Sequence, residues 1–491
     1  MQNLKQYDLV VIGGGPAGTP VAIEYAKLNP NKKIALIELS GKLGGECLFQ
    51  GCIPSKIMKA SAETIATLRE METFGIELQE QHYKIAWEKI VQRKEAILSK
   101  RTNAAGDIID TLINIDFIEA EASFSSEKTI LLKQNDEVTE IEFQKAVIGT
   151  GSRSFIPVYD GNGVDKIWTN NDFFAKMELP SSLAIIGTGA IAIEFAMILS
   201  EFGVKISLFG RGNSILHNIE AEAREYILSR LEENKNINLY LNSALLRVDY
   251  NDDTFTIKYK KDEEIAVLEA QRVLSAAGRV ANLEYLNLEK AGIAYSKKGI
   301  VTTDTLVTTN QNVYANGDVV EGFAKFAHTA QYGAHTIAQN LFLEHNIFKI
   351  KNEINSWVLF TTPNVMMAGI TEEEAAAKGI EIISDSFYFE TEAKSQIENE
   401  DYGYLKFVVQ KSNNQIIGIS AMHQEAHILG GEAALIVANK LTLKDIIDSI
   451  HPHPTISEGY VFLAKQMMGK IMQEKLKKPL VQALLTIERW L

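Results

Sequence analysis

Cys47 and Cys52 are the only cysteines in 491 residues, and they stand five positions apart in the run GGECLFQGCIPSK at 44–56. At that spacing the two sulfurs can meet if the backbone between them bends as a distorted helical turn, which Gly51 and Pro54 permit. A thiolate near a helix start, with Lys56 close by, has a lowered pKa and reacts at neutral pH. The plain alternative is two small buried apolar side chains, a common fate for cysteine. Two cysteines in so long a chain are no secreted disulfide framework, so a bridge between them would be catalytic rather than structural.

A second constellation lies near the carboxyl end, where HPHPTISE occupies 451–458. A proline after each histidine holds His451 and His453 out of the helical region. Glu458 begins the next predicted helix and could hydrogen-bond the His453 imidazole, raising its basicity and fixing its tautomer. Thr455 and Glu458 also have the spacing of a capping box, which would engage the carboxylate with backbone amides instead. Both readings stay open at this point. The other seven histidines have no comparable setting, and the sequence holds no metal-ligand cluster.

Two glycine loops have the spacing that binds dinucleotides. Gly13, Gly15 and Gly18 follow a short β-branched run at 8–12, and Glu38 stands twenty residues after Gly18. In such a loop the first glycine makes the tight turn, the second lets backbone approach a pyrophosphate, and the third permits close helix–strand packing. The helix amino terminus supplies amide donors and a positive dipole end, and Glu38 can accept from ribose hydroxyls. A merely structural tight turn is the competing explanation. The second copy is Gly187, Gly189 and Ala192, and the strand after it ends Leu208-Phe209-Gly210-Arg211. No acidic residue is there to hold a 2′-hydroxyl. Gly210 leaves space and Arg211 offers a bidentate clamp for a 2′-phosphate, which argues for NADPH over NADH. A solvated surface charge is the other reading of Arg211.

These groups need elements to hold them. Strands are expected at 8–12 and 34–38 around a helix at 20–28, and the pattern recurs with strands at 183–186 and 206–209 around a helix at 193–200. Further glycine bends occur at Gly149-Thr150-Gly151 and Ala277-Gly278-Arg279. Two such units indicate two dinucleotide-binding folds, and the segment from about 352 onward reads as a separate α+β domain. The length suits two to four domains. Apolar residues at 46% and charged residues at 23% suit a globular chain, and a formal charge of −14 repels nucleic acid. The opening residues show no secretory leader and no window suits a bilayer span, so the cytoplasm is the expected location. The tail at 475–491 has apolar residues at helical spacing; packing on the body or a partner is expected, with a membrane-surface helix as the rival.

Taken in order, GGGPAG, GGECLFQGCIPSK, GTGSR, GTGAIAIE, AAGR, YANGD, FTTPNVMMAGITE and HPHPTISE cover nearly the whole chain. The series resembles the class I pyridine nucleotide-disulfide oxidoreductases, which include dihydrolipoamide dehydrogenase, glutathione reductase and mercuric reductase. The resemblance implies an α/β fold with two Rossmann-like domains and a carboxyl-terminal α+β dimerisation domain. An FAD domain (1–150 and 275–350) would be split by an NAD(P) domain (151–274) and followed by an interface domain (351–491). FAD would lie on Gly13, Gly15, Pro16, Ala17, Gly18, Glu38, Gly45, Lys56, Gly151, Gly278, Asp318 and Ala327. NADP would lie on Gly187, Gly189, Ala192, Glu194, Arg211 and Gly278. Lys56 and Glu194 match the lysine and glutamate beside the isoalloxazine. Cys52 matches the thiol facing the flavin and Cys47 the one that attacks substrate. His453 and Glu458 would serve the active site of the other subunit in a homodimer.

Departures sort the family. The two cysteines leave no further pair for a mercuric reductase or a large thioredoxin reductase, and soluble transhydrogenases lack the pair altogether. Ile23 and Glu24 stand where glutathione reductases usually carry an arginine, yet the second fingerprint looks more like theirs. Glu46 replaces the usual Thr before the first cysteine, and its charge is expected to disfavour a neighbouring thiolate slightly. Asn364 replaces a usual Glu. The expectation is a small disulfide or dithiol substrate with NADPH as donor. The rival enzyme is NAD-dependent dihydrolipoamide dehydrogenase, and a different class is a flavoprotein subunit docked to a complex or a membrane.

Overall fold

The computed structural model describes residues 4–77 and 83–477. The chain divides into two compact units, residues 1–217 with 231–352, and residues 218–230 with 353–491.

The first unit holds two parallel sheets. In the larger, the strands run in the order Ile115–Glu119, Ile34–Glu38, Lys5–Ile12 and Glu137–Ile148, with Val313–Ala315 also on Glu137–Ile148 and all these pairs parallel. Leu9, Val10, Val11, Ile34, Ala35 and Leu36 are wholly buried. Such unbroken apolar runs belong to strands covered on both faces, which is why they do not alternate. Two further strands, Thr129–Gln134 and Glu121–Phe124, extend the sheet antiparallel. The smaller sheet runs Ile237–Tyr240, Lys205–Phe209, Ser182–Ile186, Arg272–Ser275, again parallel throughout. Between its strands the chain inserts an antiparallel three-stranded sheet spanning Ser243–Asn251, Thr254–Lys261 and Glu264–Ala270. A short antiparallel pair, Ser152–Ser154 with Arg279–Ala281, ties the two later glycine bends together.

One buried amide fastens the first glycine helix. Asn316, wholly buried, donates from Nδ2 to the carbonyls of Ala17 (2.9 Å) and Ala330 (2.8 Å). It thereby joins the start of the helix Thr19–Leu28 to the helix Ala327–Leu343.

The second unit is α+β. Its antiparallel sheet runs Ser356–Leu359, Asn364–Gly369, Ile416–His423, Tyr404–Gln410, Ile382–Tyr388. The helices Ala426–Ala438 and Glu458–Leu476 supply Leu429, Ile436, Tyr460 and Leu463 to its core, where they meet Met366, Leu405 and Phe407. Most of the tail predicted at 475–491 lies outside the described residues. Among the described residues no helix is long and apolar enough to cross a membrane.

Asn316→Ala leaves the buried Ala17 carbonyl without this donor, whereas Ala330 keeps its place in the helix Ala327–Leu343, at about 1–3 kcal/mol in all. Urea denaturation should show the first unit destabilised by about 1–3 kcal/mol; an unchanged midpoint would mean the Ala17 carbonyl finds another partner.

Candidate active site

The cysteine turn is built from a five-residue helix, Gly45–Phe49, followed at once by the helix Cys52–Glu70. Gly44 and Gly45 both take positive φ, at 124° and 58°. A Cβ on Gly45 would sit 2.8 Å from the Gly15 Cα, and the Gly44 amide donates to the Gly14 carbonyl at 2.8 Å. The cysteine turn and the first glycine loop, thirty residues apart in sequence, are therefore in backbone contact.

Cys47 is half-buried and Cys52 exposed, and both are free thiols here, the reduced form of the expected pair. The neighbouring Cys47 thiol lowers the Cys52 pKa to about 7, and Lys56 adds to the shift against partial desolvation of the sulfur. Cys52 beside it, with burial, pushes the Cys47 pKa well up. Lys56 projects from the cysteine helix to Glu194 on the helix Ala190–Glu201, Nζ to Oε2 at 2.7 Å. The structure thus brings Cys47, Cys52, Lys56 and Glu194 together.

The glycines of each fingerprint divide into two kinds. A Cβ on Gly13 would lie 2.4 Å from the Gly149 carbonyl oxygen, and one on Gly18 2.0 Å from that of Gly13. Those two serve the fold itself. Gly15 meets nothing nearer than the Gly45 Cα at 3.7 Å, and Gly151 and Gly278, both at positive φ, face open space. In the second loop a Cβ on Gly187 would lie 2.3 Å from the Ala276 carbonyl oxygen, whereas Gly189 has nothing within 4 Å. Ala192 is wholly buried. Pro16 and Ala17 lie in the first loop, and neither the helix Thr19–Leu28 nor the helix Ala327–Leu343 has a side-chain cap at its amino end. Open glycines beside uncapped helix starts fit a bound pyrophosphate, so the chemistry and shape of this cradle suit a dinucleotide. Glu38 accepts from the Gly14 amide at 2.6 Å and from the Ser40 amide and hydroxyl. Asp318 accepts from the Ser152 hydroxyl at 2.5 Å.

Two expectations need correction. A Cβ on Gly210 would sit 2.6 Å from the Thr188 methyl, so the room there is already used by Thr188. The case for a 2′-phosphate falls to Arg211, which is exposed, together with the missing acid. Glu46 was expected to repel a thiolate, but Arg279 takes both its oxygens, Nη1 to Oε1 at 2.9 Å and Nη2 to Oε2. Asn170 adds a bond to Oε1 at 2.8 Å. Neither Arg279 nor Asn170 was recognised as a site residue from sequence. Arg279 had a signal, its place in the second glycine bend; Asn170 had none.

In the second unit, both readings of Glu458 hold in part. Its Oε2 accepts from His453 Nδ1 at 2.9 Å and from the Thr455 amide at 3.3 Å. Thr455 Oγ1 turns away to the Pro452 carbonyl, and Ser457, which precedes the helix, makes no side-chain cap, so the box is only half made. A carboxylate cannot donate, so His453 Nδ1 carries the hydrogen and Nε2 is left to exchange a proton. The His453 side chain is 69% exposed, whereas that of His451, bonded to Glu432, is 10% exposed. Among the described residues no cluster could hold a metal ion.

Comparison with known proteins agrees in extent and order. Residues 7–334 match the pyridine nucleotide-disulphide oxidoreductase family, and residues 355–464 match the dimerisation domain of such proteins. The chain is 31% identical to a dihydrolipoyl dehydrogenase of Bacillus subtilis, over 95% of this chain and 98% of that one. It is also 31% identical to a mercuric reductase of Staphylococcus aureus, over 92% and 81%. A solved Cu(II) complex of the HOCl-induced flavoprotein disulfide reductase RclA from Escherichia coli shares the fold, with TM-score 0.81 and 24% identity over 94% of this chain and 99% of that one. The chain belongs to the class I pyridine nucleotide-disulfide oxidoreductases, and is a flavin-dependent enzyme of that family with its dimerisation domain.

Proposed function

We propose that this enzyme uses NADPH to reduce a small disulfide through FAD and the Cys47–Cys52 pair, in the cytoplasm and as a homodimer. The observation that carries the reading is the cysteine turn packed against the first glycine loop, with the Lys56–Glu194 ion pair beside Cys52. Bound FAD would supply a two-electron relay between the nicotinamide and the cysteines. Gly13, Gly15, Pro16, Ala17, Gly18, Glu38, Gly45, Lys56, Gly151, Gly278, Asp318 and Ala327 are the residues proposed to hold it, with 1–150 and 275–350 as its domain. Gly187, Gly189, Ala192, Glu194, Arg211 and Gly278 would hold the nicotinamide dinucleotide, with 151–274 as its domain, and 351–491 would form the interface.

The two thiols have unequal work. Cys52, with the lowered pKa, is the group that carries negative charge at neutral pH. Cys47 holds its proton and so needs a base before it can attack. His453 of the partner subunit, with Nδ1 fixed by Glu458, would accept that proton at Nε2. Cys47 sulfur then attacks one sulfur of the substrate, the substrate S–S bond breaks, and the departing thiolate takes the proton back from the imidazolium. Cys52 thiolate attacks the Cys47 sulfur of the mixed disulfide, closing Cys47–Cys52 and releasing the second thiolate. Two electrons leave the pair, and one substrate disulfide becomes two thiols after proton uptake.

A second reading, NAD-dependent dihydrolipoyl dehydrogenase run in the opposite direction, is supported by the names of several relatives at 28–31% identity. Arg211 separates the two. Arg211→Ala should lower kcat/KM for NADPH about tenfold or more while leaving NADH within about twofold, the loss of one charge-assisted contact. An enzyme that prefers NADH before and after the change defeats the NADPH assignment.

Cys47→Ser is expected to retain flavin and dye reduction by NADPH while losing disulfide turnover; retained turnover would remove Cys47 from the mechanism. His453→Ala should slow thiol–disulfide exchange by about 10²–10⁴. An unchanged rate would leave Glu458 as a helix-start residue alone.

A further inference from the structure

The carboxylate next to Cys47 has no part in the chemistry proposed above, yet it anchors a buried network. The Glu46 and Arg279 side chains are 22% and 19% exposed. Beyond its grip on Glu46, Arg279 donates from Nε to the Ser152 hydroxyl (2.8 Å) and from Nη2 to the Ser152 carbonyl (2.7 Å). Ser152 passes its own hydrogen to Asp318. Asn170, itself buried, donates to Glu46 and also to the Gln50 carbonyl at 2.6 Å. Cys47 therefore sits between two fastened points, the side chain before it and the carbonyl three residues after it.

Geometry and charge work together in this arrangement. One guanidinium links the cysteine turn, the strand Ser152–Ser154 and, through Ser152, the turn that carries Asp318. A lone carboxylate one residue from a reactive thiol would disfavour its ionised form, and a lone guanidinium would favour it. Paired, the two cancel. Removing Arg279 leaves Glu46 partly buried without a cation, and removing Glu46 leaves Arg279 only Asp318, 3.8 Å from its Nε.

We propose that Glu46, Arg279 and Asn170 form a charge-balanced clamp that positions the Cys47-bearing turn for thiol–disulfide exchange, with Glu46 and Arg279 acting as positioning residues that do not touch substrate. The inference rests on the reading of Cys47 and Cys52 as a working dithiol. Its test does not require turnover.

The holoenzyme is reduced with dithiothreitol, treated with iodoacetamide across pH 5–10, and the alkylation rate of each cysteine is followed by mass spectrometry. Glu46→Gln keeps the shape and removes the carboxylate beside Cys47, leaving Arg279 with only the longer Asp318 contact at 3.8 Å, so the midpoint for Cys52 should fall by about 0.5–1 pH unit. Arg279→Met leaves Glu46 unmatched and should raise it by about as much. The double variant should return to within about 0.3 unit of the parent, because matched removal restores the balance. If Arg279→Met does not fold, the direction of the Glu46→Gln shift decides alone: downward supports the clamp, and no shift or an upward one overturns it. An unshifted profile in an enzyme that turns over disulfides would sink the clamp alone. A shifted profile in a parent enzyme without disulfide turnover would sink the proposed function alone.

Discussion

The contact between two stretches of glycine backbone is the constraint on which the rest of the site depends. Gly45 lies against Gly15, and the Gly44 amide reaches the Gly14 carbonyl. Any side chain at Gly45 would push the cysteine turn off the first fingerprint loop. Because the approach is so close, a dithiol and a dinucleotide cradle are held by one piece of backbone rather than by flexible side chains. Catalytic groups on rigid, mutually packed loops keep their geometry without further ordering when substrate arrives.

Around that contact, charge is arranged in pairs. Lys56 meets Glu194, Arg279 meets Glu46, and Glu458 meets His453. The pairs have different consequences. Lys56 lies close enough to Cys52 to favour its thiolate. Arg279 pairs with the carboxylate one residue before Cys47. Glu458 orients an imidazole that is left largely exposed. The strongest influence on each thiol is nevertheless the other thiol, which favours the charged form of Cys52 and the neutral form of Cys47.

The fingerprint glycines show how one motif combines two physical tasks. Gly13, Gly18 and Gly187 are demanded by packing against neighbouring carbonyls, while Gly15, Gly189, Gly151 and Gly278 face space. The first group would be required even of a domain that bound nothing. The second group is the better marker of a ligand surface. Gly210 carries a warning of the same kind, because the space it leaves is filled by Thr188.

Much of this was legible in the residues themselves. The two βαβ beginnings, the cysteine turn and the histidine–glutamate pair each rest on short-range spacing, which the chain carries locally. Buried strands such as 34–38 announced themselves by unbroken apolar runs. Other features depended on partners more than a hundred positions away. Arg279 lies 233 residues from Glu46, and Asn170 lies 124 from it. Sequence could name Glu46 as a charge beside a thiol, but only the folded chain decided that the charge is cancelled. Likewise the spacing allowed Glu458 to serve either a helix start or an imidazole, and three-dimensional placement gave one oxygen to both. Local backbone chemistry sets which elements form and which groups are reactive; long-range packing sets which charges remain free to act.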